Sequence, residues 1–142
     1  MSTLSVRPRA VTVRELFVRS TANPLLTPAD WPYPVNAVFN PAAAVVDGET
    51  VLLCRVEDRR GLSHLTVARS ADGVTGWRID PRPLIVPDGT GHVSRWGVED
   101  PRATWVDEMH RWLITYTAYG PQGPCVALAC TGDFRTVEHI GG

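Results

Sequence analysis

The stretch Gly97-Val98-Glu99-Asp100-Pro101-Arg102 places two adjacent carboxylates between a glycine and a proline. Its Asp-Pro step has a counterpart at Asn40-Pro41, sixty residues earlier. The residues that follow also align, because 40–47 match 100–107 and both segments end at an aspartate. This spacing indicates two copies of one unit of about 60 residues, each opening with an Asx-Pro step.

Short apolar runs continue the repeat at a nearly constant offset. The alignment places 51–54 on 111–114, 65–68 on 126–129 after a slip of one residue, and 70–72 on 131–133. Each unit contains short apolar runs bounded by turn residues, a pattern typical of antiparallel strands. A repeat of this length predicts an all-β fold made of four-stranded β-propeller blades.

The chain divides into four predicted parts. They are an N-terminal extension with a proline-rich segment, a first blade, an inter-blade loop and a second blade, over residues 1–36, 37–80, 81–99 and 100–142. The predicted strands cover 37–46, 50–56, 63–70 and 77–79 in the first blade, and 101–107, 111–118, 125–131 and 134–140 in the second. Because a propeller needs at least four blades to close, we expect the chain to form only part of a longer one.

The N-terminal part gives two further expectations. The alternating stretch 11–18 predicts an additional strand. The prolines of 24–34 predict an extended, irregular segment, because proline donates no ladder hydrogen bond. Trp31 and Tyr33 leave two interpretations open, a surface linker or a packed loop near a sugar site.

The composition excludes several classes of function. The 142 residues are 44% hydrophobic and 20% charged, with a formal net charge of −1. This balance gives no reason to expect nucleic acid or a membrane as a partner, and no apolar run reaches membrane-spanning length. Cys54, Cys125 and Cys130 form no CxxC pair, so we expect reduced thiols in a cytoplasmic protein. No His/Asp/Glu cluster has metal-ligand spacing, and we expect no metal or organic cofactor.

The repeat predicts where a site would form. Asn40 and Asp100 occupy equivalent places at the start of the first strand of each blade, so they should converge at one end of a central channel. Arg102 should share the face of Asp100, and Glu99 should point the other way unless a bulge changes the alternation. A turn-forming role for the Asx-Pro step is the alternative. For Asp100, nearby arginines favour the charged form and a dry channel opposes it.

Other residues are weaker candidates. Asp72 is expected to bind the backbone of its own turn, and Trp77 to pack between sheets. His64 is interpreted as a satisfied strand residue or a sugar contact. His92, in the loop before Asp100, is a weak candidate for substrate contact.

Several segments, taken in order, resemble glycoside hydrolase family 130, the mannoside phosphorylases and mannosidases. The strongest resemblance is at 97–102, and the others are 23–27, 39–43, 52–57, 63–73, 115–118 and 129–134. The resemblance implies a five-bladed propeller of roughly twice this length. It also implies that Asp100 matches the general acid, Asn40 a sugar-contacting residue, Arg55 an arginine facing the site and Arg102 a support for Asp100 or the anion.

The implied reaction is inverting phosphorolysis of a β-mannoside oligosaccharide. Asp100 would donate its proton through a sugar hydroxyl while inorganic phosphate, as co-substrate, attacks the anomeric carbon and releases mannose 1-phosphate. One acid suffices because phosphate is itself the nucleophile, and arginine suits phosphate oxygens.

Three functions remain open at this point. The chain could be part of a phosphorylase, part of a β-mannosidase on the same scaffold, or a non-catalytic mannoside-binding remnant. The phosphate-binding residues of the family lie on later blades, so we expect little or no turnover from these 142 residues alone. Exposed sheet edges suggest a homo-oligomer as a further possibility.

Overall fold

The computed structural model describes residues 16–89 and 93–140, and this part of the chain is built from strands. The prediction of an all-β fold is confirmed. The eight strands are β1 (Ala37–Val46), β2 (Glu49–Glu57), β3 (Ser63–Ser70), β4 (Arg78–Ile79), β5 (Gly97–Val106), β6 (Arg111–Gly120), β7 (Gly123–Thr131) and β8 (Glu138–His139). Within the described residues, no helix is long and apolar enough to cross a membrane.

The strands form two four-stranded antiparallel units within one open sheet. In the first unit β1, β2, β3 and β4 pair in sequence order, and in the second β5, β6, β7 and β8 do the same. The units are joined by one parallel pair, Ser63 with Gly97. This organisation agrees with two copies of one unit, while a closed propeller stays a prediction.

The first hairpins of the two units differ in the length of their turns, so the repeat alignment needs a correction. Asp47 and Gly48 form the predicted tight turn, with φ of 51° and 82°. The second hairpin instead contains a 3-10 turn, Asp107–Met109, before β6 begins at Arg111. The second connection is therefore two residues longer. Placing 51–54 on 111–114 was wrong by two residues, and Val51 corresponds to Leu113.

Several predicted boundaries also need correction. β5 begins at Gly97, so the inter-blade loop ends before the predicted residue 99. Residues 134–137 form a turn, and only Glu138–His139 of the predicted strand 134–140 is extended and paired. In the N-terminal strand predicted at 11–18, residues 11–15 lie outside the described part. Residues 16–18 are exposed and form no strand.

The main core lies between the two units. Its buried side chains come from both, for example Leu53 and Val67 of the first and Ile114 and Ala129 of the second. The faces meet because alternate residues of each strand point toward the other unit. Burial of this shared surface stabilises the junction of the units.

The opposite face of the first unit is covered by the proline-rich segment. Trp31 is buried and packs with Cys54 and Val56, and Tyr33 packs at the edge of the same cluster. This segment is therefore packed, while its nearness to a sugar site stays a prediction. Burial raises the pKa of the Cys54 thiol to about 12.

A matching turn follows the third strand of each unit. Asp72 accepts hydrogen bonds from the backbone of Val74 and Thr75, as predicted, and Asp133 accepts equivalent bonds from 135 and 136. Trp77 does not pack between sheets, because it is partly exposed and donates to the Val74 carbonyl at 3.3 Å.

In the second unit this turn carries a buried aromatic side chain. Phe134 is 1% exposed and lies against Trp112, with ring centroids 5.8 Å apart. Arg69 of the first unit donates to the Phe134 carbonyl at 2.9 Å, which ties this turn to β3.

Candidate functional site

The Asx-Pro step forms the same backbone irregularity in both units. Asn40 and Asp100 have φ of 45° and 49°, in the left-handed region that asparagine and aspartate tolerate better than most residues. The pairing register shifts across each step, between Phe39 and Ala42 and between Glu99 and Arg102. Each step is therefore a β-bulge that redirects its Asx side chain.

The two bulges bring Asn40 and Asp100 into direct contact. The Nδ2 of Asn40 donates to Oδ1 of Asp100 at 2.9 Å, across sixty residues of sequence. The repeat predicted that these positions converge, and the structure places them together. The roles assigned to them in binding and catalysis stay predictions.

Arg55 of β2 reaches across the junction of the units. Its Nη1 lies 3.0 Å from Oδ1 of Asp100, and its Nη2 lies 3.1 Å from Oε1 of Glu99. Its Nε donates to Ser63 Oγ at 3.0 Å, and its guanidinium carbon lies 4.6 Å from the centre of the Phe39 ring. The Arg55 side chain is 16% exposed, so these contacts hold it in one orientation.

Glu99 follows the exception that the sequence left open, because a bulge changes the alternation. Strict alternation would send Glu99 and Asp100 to opposite faces, but both carboxylates contact Arg55. The bulge at Asp100 cancels the alternation, because its left-handed backbone turns the side chain to the side of its neighbour. The site therefore contains two carboxylates and one arginine.

Arg102 is not brought into contact with Asp100. Its Nη1 donates to the Pro101 carbonyl at 2.7 Å, and the side chain is exposed. Among residues 16–89 and 93–140, Arg102 forms no ion pair within 4.0 Å, so it acts on Asp100 only at longer range.

Asp100 is held as a carboxylate. The hydrogen bond from Asn40 and the contact with Arg55 lower the pKa of Asp100, and partial burial opposes them without prevailing. Both contacts use Oδ1. Within the described parts of the chain, Oδ2 has no hydrogen-bond partner, and the Asp100 side chain is 38% exposed. One oxygen of Asp100 is therefore open to a ligand.

A separate cavity of about 580 Å³ is lined by Tyr33 and by the weaker candidate His64. The Tyr33 hydroxyl lies 3.0 Å from Nε2 of His64 and 2.6 Å from Oγ1 of Thr66. Burial lowers the pKa of His64. His64 is thus a partnered strand histidine that also lines a cavity. His92 lies outside the described residues.

Sequence reasoning missed Ser63 and Phe39 as partners of Arg55. A signal for Phe39 was present, because the tight turn fixes the hairpin register and places Arg55 opposite 39–40. Ser63 had no comparable signal, since its approach depends on the loop between β2 and β3.

Comparison with protein families covers almost the whole chain. Residues 11–141 match the family described as beta-1,4-mannooligosaccharide phosphorylase. The chain belongs to this family. A search of curated protein sequences found no match.

Solved structures show the same fold. A glycosyl hydrolase from Bacteroides ovatus is 26% identical, with a TM-score of 0.74 over 85% of this chain and 39% of its own. Another structure, 27% identical, comes from work on the GH130 mannoside phosphorylases, a family containing glycoside hydrolases that target beta-1,2 mannosidic linkages in Candida mannan. Its TM-score is 0.74, over 87% of this chain and 40% of its own.

A beta-1,2-mannobiose phosphorylase from Listeria innocua, in complex with beta-1,2-mannobiose, is 23% identical and shows the fold alone. Its TM-score is 0.74, over 87% of this chain and 50% of its own. The chain therefore spans between 39% and 50% of the length of these three proteins.

Proposed function

We propose that the chain forms the acid-bearing part of an inverting glycoside phosphorylase that acts on β-mannosides. The observation that carries the proposal is the Asp100 carboxylate, held by Asn40 and Arg55 with one oxygen open. Membership of the family described as beta-1,4-mannooligosaccharide phosphorylase supports both the substrate class and phosphate as co-substrate.

In the proposed reaction Asp100 is the general acid. It donates its proton through a sugar hydroxyl to the glycosidic oxygen, and the C–O bond to the leaving sugar breaks. Inorganic phosphate attacks the anomeric carbon from the opposite face and forms mannose 1-phosphate with inverted configuration. Asn40 and Arg55 orient Asp100, and Arg102 is available to attract phosphate to the exposed side of β5.

The lowered pKa of Asp100 sets a condition on this mechanism. A general acid must carry its proton when the substrate reacts, but the free site favours the carboxylate. A bound sugar would shield Asp100 from water, and the negative charge of phosphate would oppose its ionisation. The proposal therefore requires that bound mannoside and phosphate raise the pKa of Asp100.

The runner-up is a β-mannosidase on the same scaffold. The 27% identical structure from work on GH130 glycoside hydrolases supports this alternative. A hydrolase needs a second group that activates water. The neighbouring Glu99 is occupied by Arg55 and is poorly suited to that role. A non-catalytic mannoside-binding protein is the third candidate.

Turnover measurements separate these functions. The gene is read beyond codon 142, and the protein from its full reading frame is incubated with β-1,4- and β-1,2-mannobiose, with and without phosphate. Phosphate-dependent appearance of mannose 1-phosphate in ³¹P NMR supports the phosphorylase, and mannose release without phosphate supports the mannosidase. The matched control is Asp100→Asn, which should lose at least 100-fold in rate. If the wild type and Asp100→Asn both bind mannoside without turnover, the non-catalytic binding function remains.

A further inference from the structure

Arg55 contacts Asp100 in an incomplete way. An arginine beside a carboxylate frequently forms two parallel hydrogen bonds that occupy both oxygens. Here Arg55 uses only Nη1, which meets Oδ1 at 3.0 Å, the oxygen that Asn40 also occupies. Within residues 16–89 and 93–140, Oδ2 of Asp100 remains without a partner.

The other donors of Arg55 explain this geometry. Nη2 is directed to Glu99 at 3.1 Å, and Nε to Ser63 at 3.0 Å. A guanidinium is planar, so fixing Nη2 and Nε fixes the direction of Nη1. Glu99 and Ser63 thus hold Arg55 in a position from which it reaches Asp100 with one nitrogen.

We propose that Glu99 is a positioning residue that keeps Arg55 from pairing with both oxygens of Asp100 and so keeps Oδ2 open for proton transfer. The inference extends the proposed function and rests on it for its catalytic meaning. Its structural part concerns only Glu99, Arg55 and Asp100. Without the Glu99 carboxylate, the guanidinium is free to turn and occupy Oδ2.

The charges around Asp100 predict the sign of the effect. Arg55 of β2 and Arg102 of β5 are the cations near Asp100, Asn40 of β1 is a neutral donor, and Glu99 is the neighbouring anion. Removing the Glu99 charge favours ionisation of Asp100, and a second bond from Arg55 acts in the same direction. Both effects lower the pH at which Asp100 titrates.

The direct test is a ¹³C NMR titration of the Asp100 carboxyl carbon in the 142-residue chain, with the signal assigned through Asp100→Asn. Glu99→Gln should lower the titration midpoint by about 0.5 pH units, and Glu99→Ala by more. The matched control is Glu138→Gln. Glu138 lies on the distant strand β8 and also pairs with an arginine, Arg111. The control should leave the midpoint of Asp100 unchanged.

Two further measurements separate a movement of Arg55 from the simple loss of the Glu99 charge. Ser63→Ala leaves both carboxylates in place and should lower the midpoint less than Glu99→Gln, and it replaces the Glu99 variants if they do not fold. A crystal structure of Glu99→Ala should show Nη2 of Arg55 within 3.2 Å of Oδ2 of Asp100. A Glu99→Ala structure in which Arg55 leaves Oδ2 of Asp100 unpaired overturns the proposal, and so does an unchanged or raised midpoint in the folded variants.

The catalytic part is tested in the protein from the full reading frame. Glu99→Gln should lower kcat about tenfold with little change in KM, and should shift the alkaline limb of the pH–rate profile to lower pH. Equal loss at every pH would contradict the positioning role. If the wild-type protein shows no turnover on mannosides, the proposed function fails, while the crystal structure of Glu99→Ala still decides whether Glu99 positions Arg55.

Discussion

Replacing Arg55 with methionine should destabilise the chain by about 3 kcal/mol at pH 7. The substitution removes two ion pairs, a hydrogen bond to Ser63 and the contact with the Phe39 ring. A hydrogen bond to a charged group contributes about 1.5–3 kcal/mol, but the partial exposure of Glu99 and Asp100 reduces each pair to about 1 kcal/mol. The Ser63 bond and the ring contact add about 0.5–1 kcal/mol each.

The pH dependence of this loss tests its electrostatic origin. Because the folded-state pKa of Asp100 lies below its unfolded value of about 3.9, the ion pair stabilises the fold above that pH. The stabilisation is lost as pH falls through the folded-state pKa. The hydrogen bond from Asn40 is the larger cause of the lowered pKa of Asp100 and stays in Arg55→Met. The difference in free energy of unfolding between wild type and Arg55→Met should therefore shrink by up to about 1 kcal/mol between pH 7 and pH 3, which is the part that Arg55 supplies.

Urea denaturation followed by tryptophan fluorescence measures both quantities, with equal m-values as the condition for comparison. Arg55→Lys is the matched variant, since it keeps the charge but loses the planar fork, and it should lose about 2 kcal/mol. The reasoning is refuted if the penalty of Arg55→Met is the same at pH 3 and pH 7, because packing alone would then explain it.

Three other predictions concern the fold around the site. Phe134→Ala should lower the free energy of unfolding, measured by urea denaturation, by about 3–5 kcal/mol, because it empties a buried position against Trp112. A decrease of less than about 1 kcal/mol would contradict this packing. At pH 8 a thiol reagent should label exposed Cys125 within minutes and buried Cys54 only on unfolding, and equal rates would be evidence against burial of Cys54. The free energy of unfolding should fall as pH drops from 7 to 5. His64 becomes protonated near pH 6.5 in the unfolded chain, while burial resists its protonation in the folded chain. His64→Gln should remove this contribution to the pH dependence.

The repeat made much of the strand pattern predictable. β1 and β3 have the predicted bounds because turn residues flank them and their apolar residues pack on a shared core. The hairpin at 107–110 was not predictable in length, since Met109 and His110 carry no strong turn signal and local packing selects a 3-10 turn. The stretch 134–137 looks like the start of a strand, but burial of Phe134 in the shared core overrides local propensity.

The candidate site shows where sequence periodicity stops being informative. Repeat symmetry correctly predicted that Asn40 and Asp100 lie together, because equivalent positions of two like units meet at their junction. The same symmetry gives no orientation for Glu99, whose counterpart is the apolar Phe39. Phe39 and Glu99 both contact Arg55, one as a ring and one as a carboxylate.

This difference between the copies bears on the proposed roles of Arg55 and Asp100. A symmetric pair of phenylalanines would leave Arg55 with Asp100 as its only anionic partner, and a bidentate pair would occupy both oxygens. A symmetric pair of glutamates would place three carboxylates around one arginine, and their repulsion would favour protonation of one of them. The combination of Phe39 with Glu99 balances the charge on Arg55 while leaving one oxygen of Asp100 open. Divergence of the two copies at this position, more than the repeat itself, therefore shapes the site.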